Sequence, residues 1–202
     1  LSELLKFGVL ALQGDFAEHI QMLKQVGVEA LEVRLPEQLD PLTGLIIPGG
    51  ESTTIGKLAV AYQLIEPLRK FGQEKAIWGT CAGAIFLAND VHRDQPLLNL
   101  MDIVVQRNAF GRQLESFEAE LAISGLEQDG NGAPSKDGDP YPAVFIRAPI
   151  IEKVYGRAHT LACLADGRIV AAQQGRLLAT SFHPELTGDS RMHRYFVKLA
   201  TQ

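Results

Sequence analysis

A chain of 202 residues is long enough for one well-cored domain and short for two, so residues 1–202 are expected to form a single domain. Hydrophobic residues make up 46% of it and charged residues 21%, an ordinary globular balance without a biased tract. The formal charge of −5 argues against the basic face that nucleic acid requires, and no apolar run reaches the length of a membrane span, so neither is an expected partner.

The opening LSELLKFGVLAL has no cationic lead and no small-residue cleavage site after it, so no signal peptide is expected. Cys81 and Cys163 are then expected as free thiols in a reducing cytoplasm. FGVLAL (Phe7 to Leu12) reads as a buried strand, and Gly14 opens the turn after it. Asp15 begins a helix in which Phe16, Ile20 and Leu23 recur at helical spacing, ending near Gly27. His19 falls on the polar side of that helix in this reading. EALEVR and GLIIP are the next strands, Ser52 to Phe71 has helical periodicity, and AIWG is a further strand. Short apolar strands alternating with helices predict a parallel sheet covered on both faces.

The second half changes character. DIVVQR, FEAELAI, AVFIRAP, LACLAD, RIVAAQQ and LLATSF are strand-like with few helical stretches between them. ADGR and QQGR read as hairpin turns, which makes this half an antiparallel extension. Gln128 to Pro142 is rich in Gly, Pro and Asp and predicts an exposed loop, and a last helix is expected from about Asp189 to Ala200. Cys163, inside a strand pattern with no base nearby, is expected in the core.

Three stretches carry chemistry. In GTCAG (Gly79 to Gly83) a thiol sits between two glycines at a strand-to-helix corner, the G-x-S-x-G elbow pattern with sulfur in place of oxygen. Cys81 is there either a nucleophile exposed at a helix N-terminus, where the dipole favours thiolate, or a small buried apolar residue. Of the five histidines (His19, His92, His159, His183 and His193), His183 follows a strand pattern in SFHPEL and has Glu185 two residues on. In an extended backbone the two side chains point the same way, which puts a carboxylate beside an imidazole; the alternative is a turn histidine with a solvated glutamate. In LIIPGGESTT, Gly49 and Gly50 free backbone amides to face a ligand, and Ser52 or Thr53 can cap the following helix. Such amides serve an oxyanion hole, an anion nest or a plain turn; the P-loop spacing is absent.

Together, PGGESTT, GTCAGAI and SFHPELTGD resemble the class I (triad) glutamine amidotransferases, in the same order along the chain. LALQGDFAEH, RNAFGRQLESFEAEL and VFIRAP narrow the resemblance to the glutaminase subunits of two-component pyridoxal 5′-phosphate synthases, from about Phe7 to Leu199. The long 128–142 loop departs from the family pattern, away from these residues. The resemblance implies a flavodoxin-like three-layer α/β domain with a mostly parallel central sheet, helices on both faces and an antiparallel extension. It implies Cys81 as nucleophile, His183 as base and Glu185 as the residue orienting that base. Gly49, Gly50, Glu51, Arg107, Ile146 and Arg147 match its L-glutamine contacts, Arg107 suiting the α-carboxylate. The backbone amides of Gly50 and Ala82 are the candidates for the oxyanion hole. It further implies hydrolysis of L-glutamine through a glutamyl thioester, no cofactor or metal, and a separate synthase subunit that receives the ammonia in a large hetero-oligomer. The first helix, with His19, would lie close to that subunit. A glutaminase serving another synthase, such as imidazole glycerol phosphate synthase, would share the triad but not RNAFGRQLESFEAEL with FIRAP. A non-catalytic regulator or redox sensor on the same fold is disfavoured by the intact Cys81, His183 and Glu185.

Overall fold

The computed structural model describes residues 5–110, 116–126 and 139–202. Parts of three sequence expectations (the leading LSELLK, the RNAFGRQLESFEAEL stretch and the 128–142 loop) lie outside them. In chain order the elements are β1 (Lys6–Leu10), α1 (Phe16–Gln25), β2 (Glu29–Val33), β3 (Gly44–Ile47), α2 (Ser52–Ala61), α3 (Ile65–Glu74), β4 (Ala76–Thr80) and α4 (Ala82–Leu87). There follow β5 (Ala88–Asp90), β6 (Met101–Gln106), β7 (Ser116–Leu121), β8 (Tyr141–Ile146), β9 (Ile150–Val154), β10 (His159–Cys163), β11 (Ile169–Gln174), β12 (Leu177–Thr180) and α5 (Arg191–Ala200). Short 3₁₀ turns cover Pro36–Leu39 and Pro184–Leu186.

One sheet runs in the order β2-β1-β3-β4-β12-β11-β9-β6-β5, with β10 beside β11; β7 and β8 pair separately. Its first five strands are mutually parallel, and β12, β11, β9 and β6 then alternate in direction. The alternation of side chains along each strand builds two apolar layers. Leu45, Ile47, Ile77, Leu177 and Ala179 face α2, α3 and α4. Ile46, Trp78 and Leu178 face the other way, onto α1, α5 and the β7–β8 hairpin, where Leu23, Phe196 and Phe145 pack. The α/β fold with a mostly parallel sheet and helices on both faces is thus the expected one.

Several local expectations are corrected. The predicted helix over Ser52 to Phe71 is two helices, because Gln63 takes φ 57° and drops Leu64 into the core, fully buried. Pro67 fits at the start of α3, where its missing N–H is one of the unpaired donors in any case. Tyr141 and Pro142 open β8 instead of closing a loop. The last helix starts at Arg191, after Asp189 has bonded its backbone N–H. Cys163 is exposed, not core: register shifts around Ala162 in the β10–β11 pairing turn its side chain outward.

Around the β4–α4 corner the packing leaves no room for a Cβ on either glycine. One added at Gly79 would lie 2.4 Å from the Gly83 carbonyl, and one at Gly83 would lie 2.0 Å from the Ile47 carbonyl oxygen. Gly83→Ala is therefore expected to destabilise by ~1–3 kcal/mol through overpacking, although alanine is the better helix former. In thermal unfolding that is a Tm lower by ~2–12 °C for a domain of this size. An unchanged Tm would show that the corner has slack.

Candidate active site

β1, β3, β4 and β12 are adjacent and parallel, so the segments leaving them all emerge at one edge of the sheet. That is the edge where ligands bind in open parallel α/β sheets. Gln13, Gly14 and Asp15 follow β1; Gly49, Gly50 and Glu51 follow β3; Cys81 follows β4; His183 follows β12. The register pairs Thr80 with Thr180, which sets Cys81 and His183 one and three residues beyond a matched pair. A cleft of about 590 Å³ opens there. Gly50, Glu51, Cys81, Ala82, Arg107, Ile146, Arg147 and His183 line it, as do Gln13, Asp15 and Asn108, which the sequence reading had not singled out. Gly49 and Glu185 stand directly behind this wall, each against His183.

Cys81 takes φ 48° and ψ −104° between β4 and α4 and is 7% exposed. Its N–H donates to the Thr180 carbonyl at 2.8 Å. Asn108 (φ 50°) and Arg147 (φ 42°), on other walls of the cleft, also hold positive φ, a conformation costing ~1–3 kcal/mol for a side-chain-bearing residue. Strain of this kind is found where side-chain aim matters more than stability.

His183 Nδ1 lies 2.7 Å from Glu185 Oε1, and its ring lines the same cleft as Cys81. The route to that contact differs from the expected one. The chain is not extended after His183: Pro184–Leu186 form a 3₁₀ turn that folds the Glu185 carboxylate back under the ring. A second carboxylate, Asp15, has Oδ2 at 3.6 Å from the same Nδ1. Burial by itself would lower the His183 pKa, but the pull of the neighbouring Cys81 and Glu185 outweighs it and raises the pKa to about 10. Burial raises the Glu185 pKa, against the pull of the His183 bond. Asp15, His183 and Glu185 present ligand atoms within 4.8 Å of one another. Within this set Nδ1 of His183 is already bonded to Glu185.

Glu51, rather than Ser52 or Thr53, caps α2, accepting from the Thr53 and Thr54 amides and the Thr54 hydroxyl. Burial would raise its carboxyl pKa, but these bonds, led by the Thr54 hydroxyl, bring it down to about 2. Arg107 is not a free cation: it pairs with Glu51 at 2.9 Å and donates to Gln95 and Thr53 at 2.8 and 3.0 Å. The Gly49 carbonyl accepts from the Asp15 N–H (3.2 Å), and the Gln13 side-chain oxygen accepts from the Glu51 N–H (2.7 Å). Gly50, at φ 145°, occupies backbone space that L side chains rarely enter.

His19 is fully buried, contrary to the sequence reading. Phe16, His19, Ile20 and Leu23 form one i, i+3, i+4, i+7 stripe, which puts the histidine on the inner face of α1.

A family model described as the SNO glutamine amidotransferase family matches residues 9–202. The chain is 54% identical over 196 residues to the pyridoxal 5′-phosphate synthase subunit PdxT of Roseiflexus sp. (strain RS-1), covering 95% of this chain and 98% of that one. It is 56% identical over 197 residues to the PdxT of Herpetosiphon aurantiacus, with the same two coverages. A solved structure titled as a glutamine amidotransferase superposes with a TM-score of 0.87 at 49% identity, over 97% of this chain and 99% of that one.

The elevated His183 pKa has a sign that can be checked. Protonated His183 adds stability in full below its ordinary pKa of 6.5, and that contribution is lost as pH rises through about 10. In NMR titration of the ring, His183 is expected to stay an imidazolium at about pH 8, and Cys81→Ala to bring its midpoint down. A wild-type midpoint at 6.5 would mean that the thiol and carboxylate do not hold the proton.

Proposed function

Since the chain belongs to the SNO glutamine amidotransferase family, we propose that it hydrolyses L-glutamine to L-glutamate and ammonia, and hands the ammonia to the subunit that makes pyridoxal 5′-phosphate. The observation carrying this reading is the cleft-facing thiol at a strained turn, sharing its cleft with an imidazole that a buried carboxylate holds from behind. The names of the relatives support the destination of the ammonia.

An amide resists attack because its nitrogen is a poor leaving group until protonated. With Nδ1–H donated to Glu185, the other ring nitrogen of His183 is left for Cys81. The Cys81 thiolate adds to the side-chain carbonyl carbon of glutamine, and the carbonyl π electrons move onto oxygen. The amides of Gly50 and Ala82 receive that oxyanion. As the tetrahedral centre collapses, the C–N bond breaks and His183 delivers its proton to the departing nitrogen, releasing ammonia and leaving a glutamyl thioester. His183, now neutral, takes a proton from water as the water adds to the thioester. The C–S bond then breaks, freeing glutamate and restoring the thiolate beside an imidazolium. Glu51 offers the substrate's ammonium an anionic partner. Arg107, by exchanging its Glu51 bond, and the exposed Arg147 meet the α-carboxylate, while Ile146 packs on the chain.

Ammonia is of use only where it is consumed, so hydrolysis is coupled to the synthase subunit. The Gly49–Gly50 peptide is the switch: its carbonyl is tied to the Asp15 N–H, and glycines on both sides let it turn over at little steric cost. Docking of the synthase subunit breaks that bond and turns the Gly50 N–H into the hole. One missing oxyanion donor costs ~10²–10³-fold in turnover.

The test is steady-state ammonia release at saturating glutamine, with and without the synthase subunit. Turnover is expected to rise by ~10²-fold or more on its addition, and Cys81→Ala to abolish it while partner binding persists. Equal turnover without the subunit would show the hole already assembled. Release that survives Cys81→Ala would remove the nucleophile.

A further inference from the structure

Behind Glu185 the structure holds two buried histidines with no part in the steps above. His19 of α1 and His193 of α5 are both fully buried, and His19 Nδ1 lies 3.0 Å from His193 Nε2. The other nitrogen of His19, Nε2, lies 3.2 Å from Thr80 Oγ1 and 3.3 Å from Glu185 Oε2. That carboxylate oxygen has no hydrogen bond of its own, although the Glu185 side chain is wholly buried. His193 packs its ring edge-on against Trp78, centroids 5.0 Å apart.

Only one proton fits between His19 Nδ1 and His193 Nε2, so the tautomers are linked. With that proton on His19, its Nε2 lone pair would face the carboxylate oxygen, two concentrations of negative charge 3.3 Å apart in a dry interior. With it on His193, His19 carries N–H at Nε2, directed between Thr80 Oγ1 and Glu185 Oε2. Among His19, His193 and Glu185, the second arrangement leaves the His193 Nδ1 lone pair without a partner. We propose that His19 is a positioning residue: its Nε2–H supports the otherwise unpartnered Oε2 of Glu185 and keeps that carboxylate ionised and aimed at His183. The proposal rests on the hydrolytic reading for its effect on turnover, but not for its effect on the titration of His183.

Both histidines are held neutral, as the arrangement requires. Burial, followed by their mutual repulsion, keeps the His19 pKa well below its ordinary value, and burial brings His193 to about 3. His183 also acts on His19, and the titratable groups that face His183 and Glu185 are Cys81 at the β4–α4 corner, Asp15 after β1 and Tyr141 of β8. Tyr141, held un-ionised by burial, has its hydroxyl engaged with Thr187 and the Asp189 carbonyl, and none of the three is hydrogen-bonded to Oε2.

The test compares three substitutions in the full chain. In His19→Gln the side-chain amide reaches the place of Nε2; in His19→Asn it reaches only the place of Nδ1; His19→Leu has no donor. His183 is followed by NMR titration, and Cys81 by its rate of alkylation against pH. His19→Leu and His19→Asn are expected to lower the His183 midpoint by on the order of one pH unit and to move the alkylation profile with it. His19→Gln is expected to keep both near wild type. In the complex with the synthase subunit, Leu and Asn are expected to lower kcat by ~10-fold at unchanged KM. Should His19→Leu fail to fold, the Gln–Asn pair decides alone, because a packing role would not distinguish which end of the side chain carries the donor. Wild-type profiles in both Leu and Asn, or equal shifts in Gln and Asn, would overturn the proposal. Loss of Cys81-dependent ammonia release in the wild type would instead overturn the hydrolytic reading and leave the titration test standing.

Discussion

The arrangement depends on one strained residue. Cys81 is held at positive φ at the junction of β4 and α4, which a side-chain-bearing residue enters at a cost of ~1–3 kcal/mol. Three contacts oppose its relaxation: its N–H is bonded to Thr180, Gly79 packs on Gly83, and Gly83 packs on the end of β3. A strand that ran straight on from Thr80 would carry the thiol past the sheet edge. The turn instead leaves it beside His183, at the start of a helix.

The sheet supplies the remaining components without long excursions. Four adjacent parallel strands end at one edge, so the turns after β1, β3, β4 and β12 are neighbours in space though up to about 170 residues apart in sequence. The β7–β8 hairpin closes the fourth side, tied down by the bond from the His183 N–H to the Val144 carbonyl. Charge is graded across this edge. Arg107 and Glu51 pair at the open mouth, His183 and Glu185 pair deeper, and neutral His19 and His193 lie behind them. The buried carboxylate is thus faced by imidazoles on two sides, and the His183 bond pulls its pKa down against the desolvation that raises it.

Much of this was legible in the sequence because it is local. Buried parallel strands read as short apolar runs, and the ADGR and QQGR turns do join antiparallel neighbours. Cys81, His183 and Glu185 were each marked by the residues beside them. What escaped was set by partners far along the chain or by one backbone angle. His19 looked polar because its partners Thr80, Glu185 and His193 lie 61 to 174 residues away. Its place on the Phe16–Ile20–Leu23 stripe was the available signal. The break at Gln63 and the outward turn of Cys163 came from a single φ and a register slip. β9 (IIEKV) was hidden by its two charged residues, exposed on the strand that pairs with β6. Arg107 read only as a partner for an α-carboxylate, because nothing local announced that Glu51 would pair with it.

The central claim is that the fold delivers the Cys81 sulfur to the amide carbon of glutamine with His183 placed to take and return the proton. Its most direct measurement is a rapid acid quench of the complex turning over isotopically labelled glutamine, followed by peptide mass spectrometry. The account predicts label retained as a glutamyl group on the peptide that carries Cys81, and none on that peptide in Cys81→Ala. Ammonia released at full rate with no labelled Cys81 peptide at any quench time would contradict it.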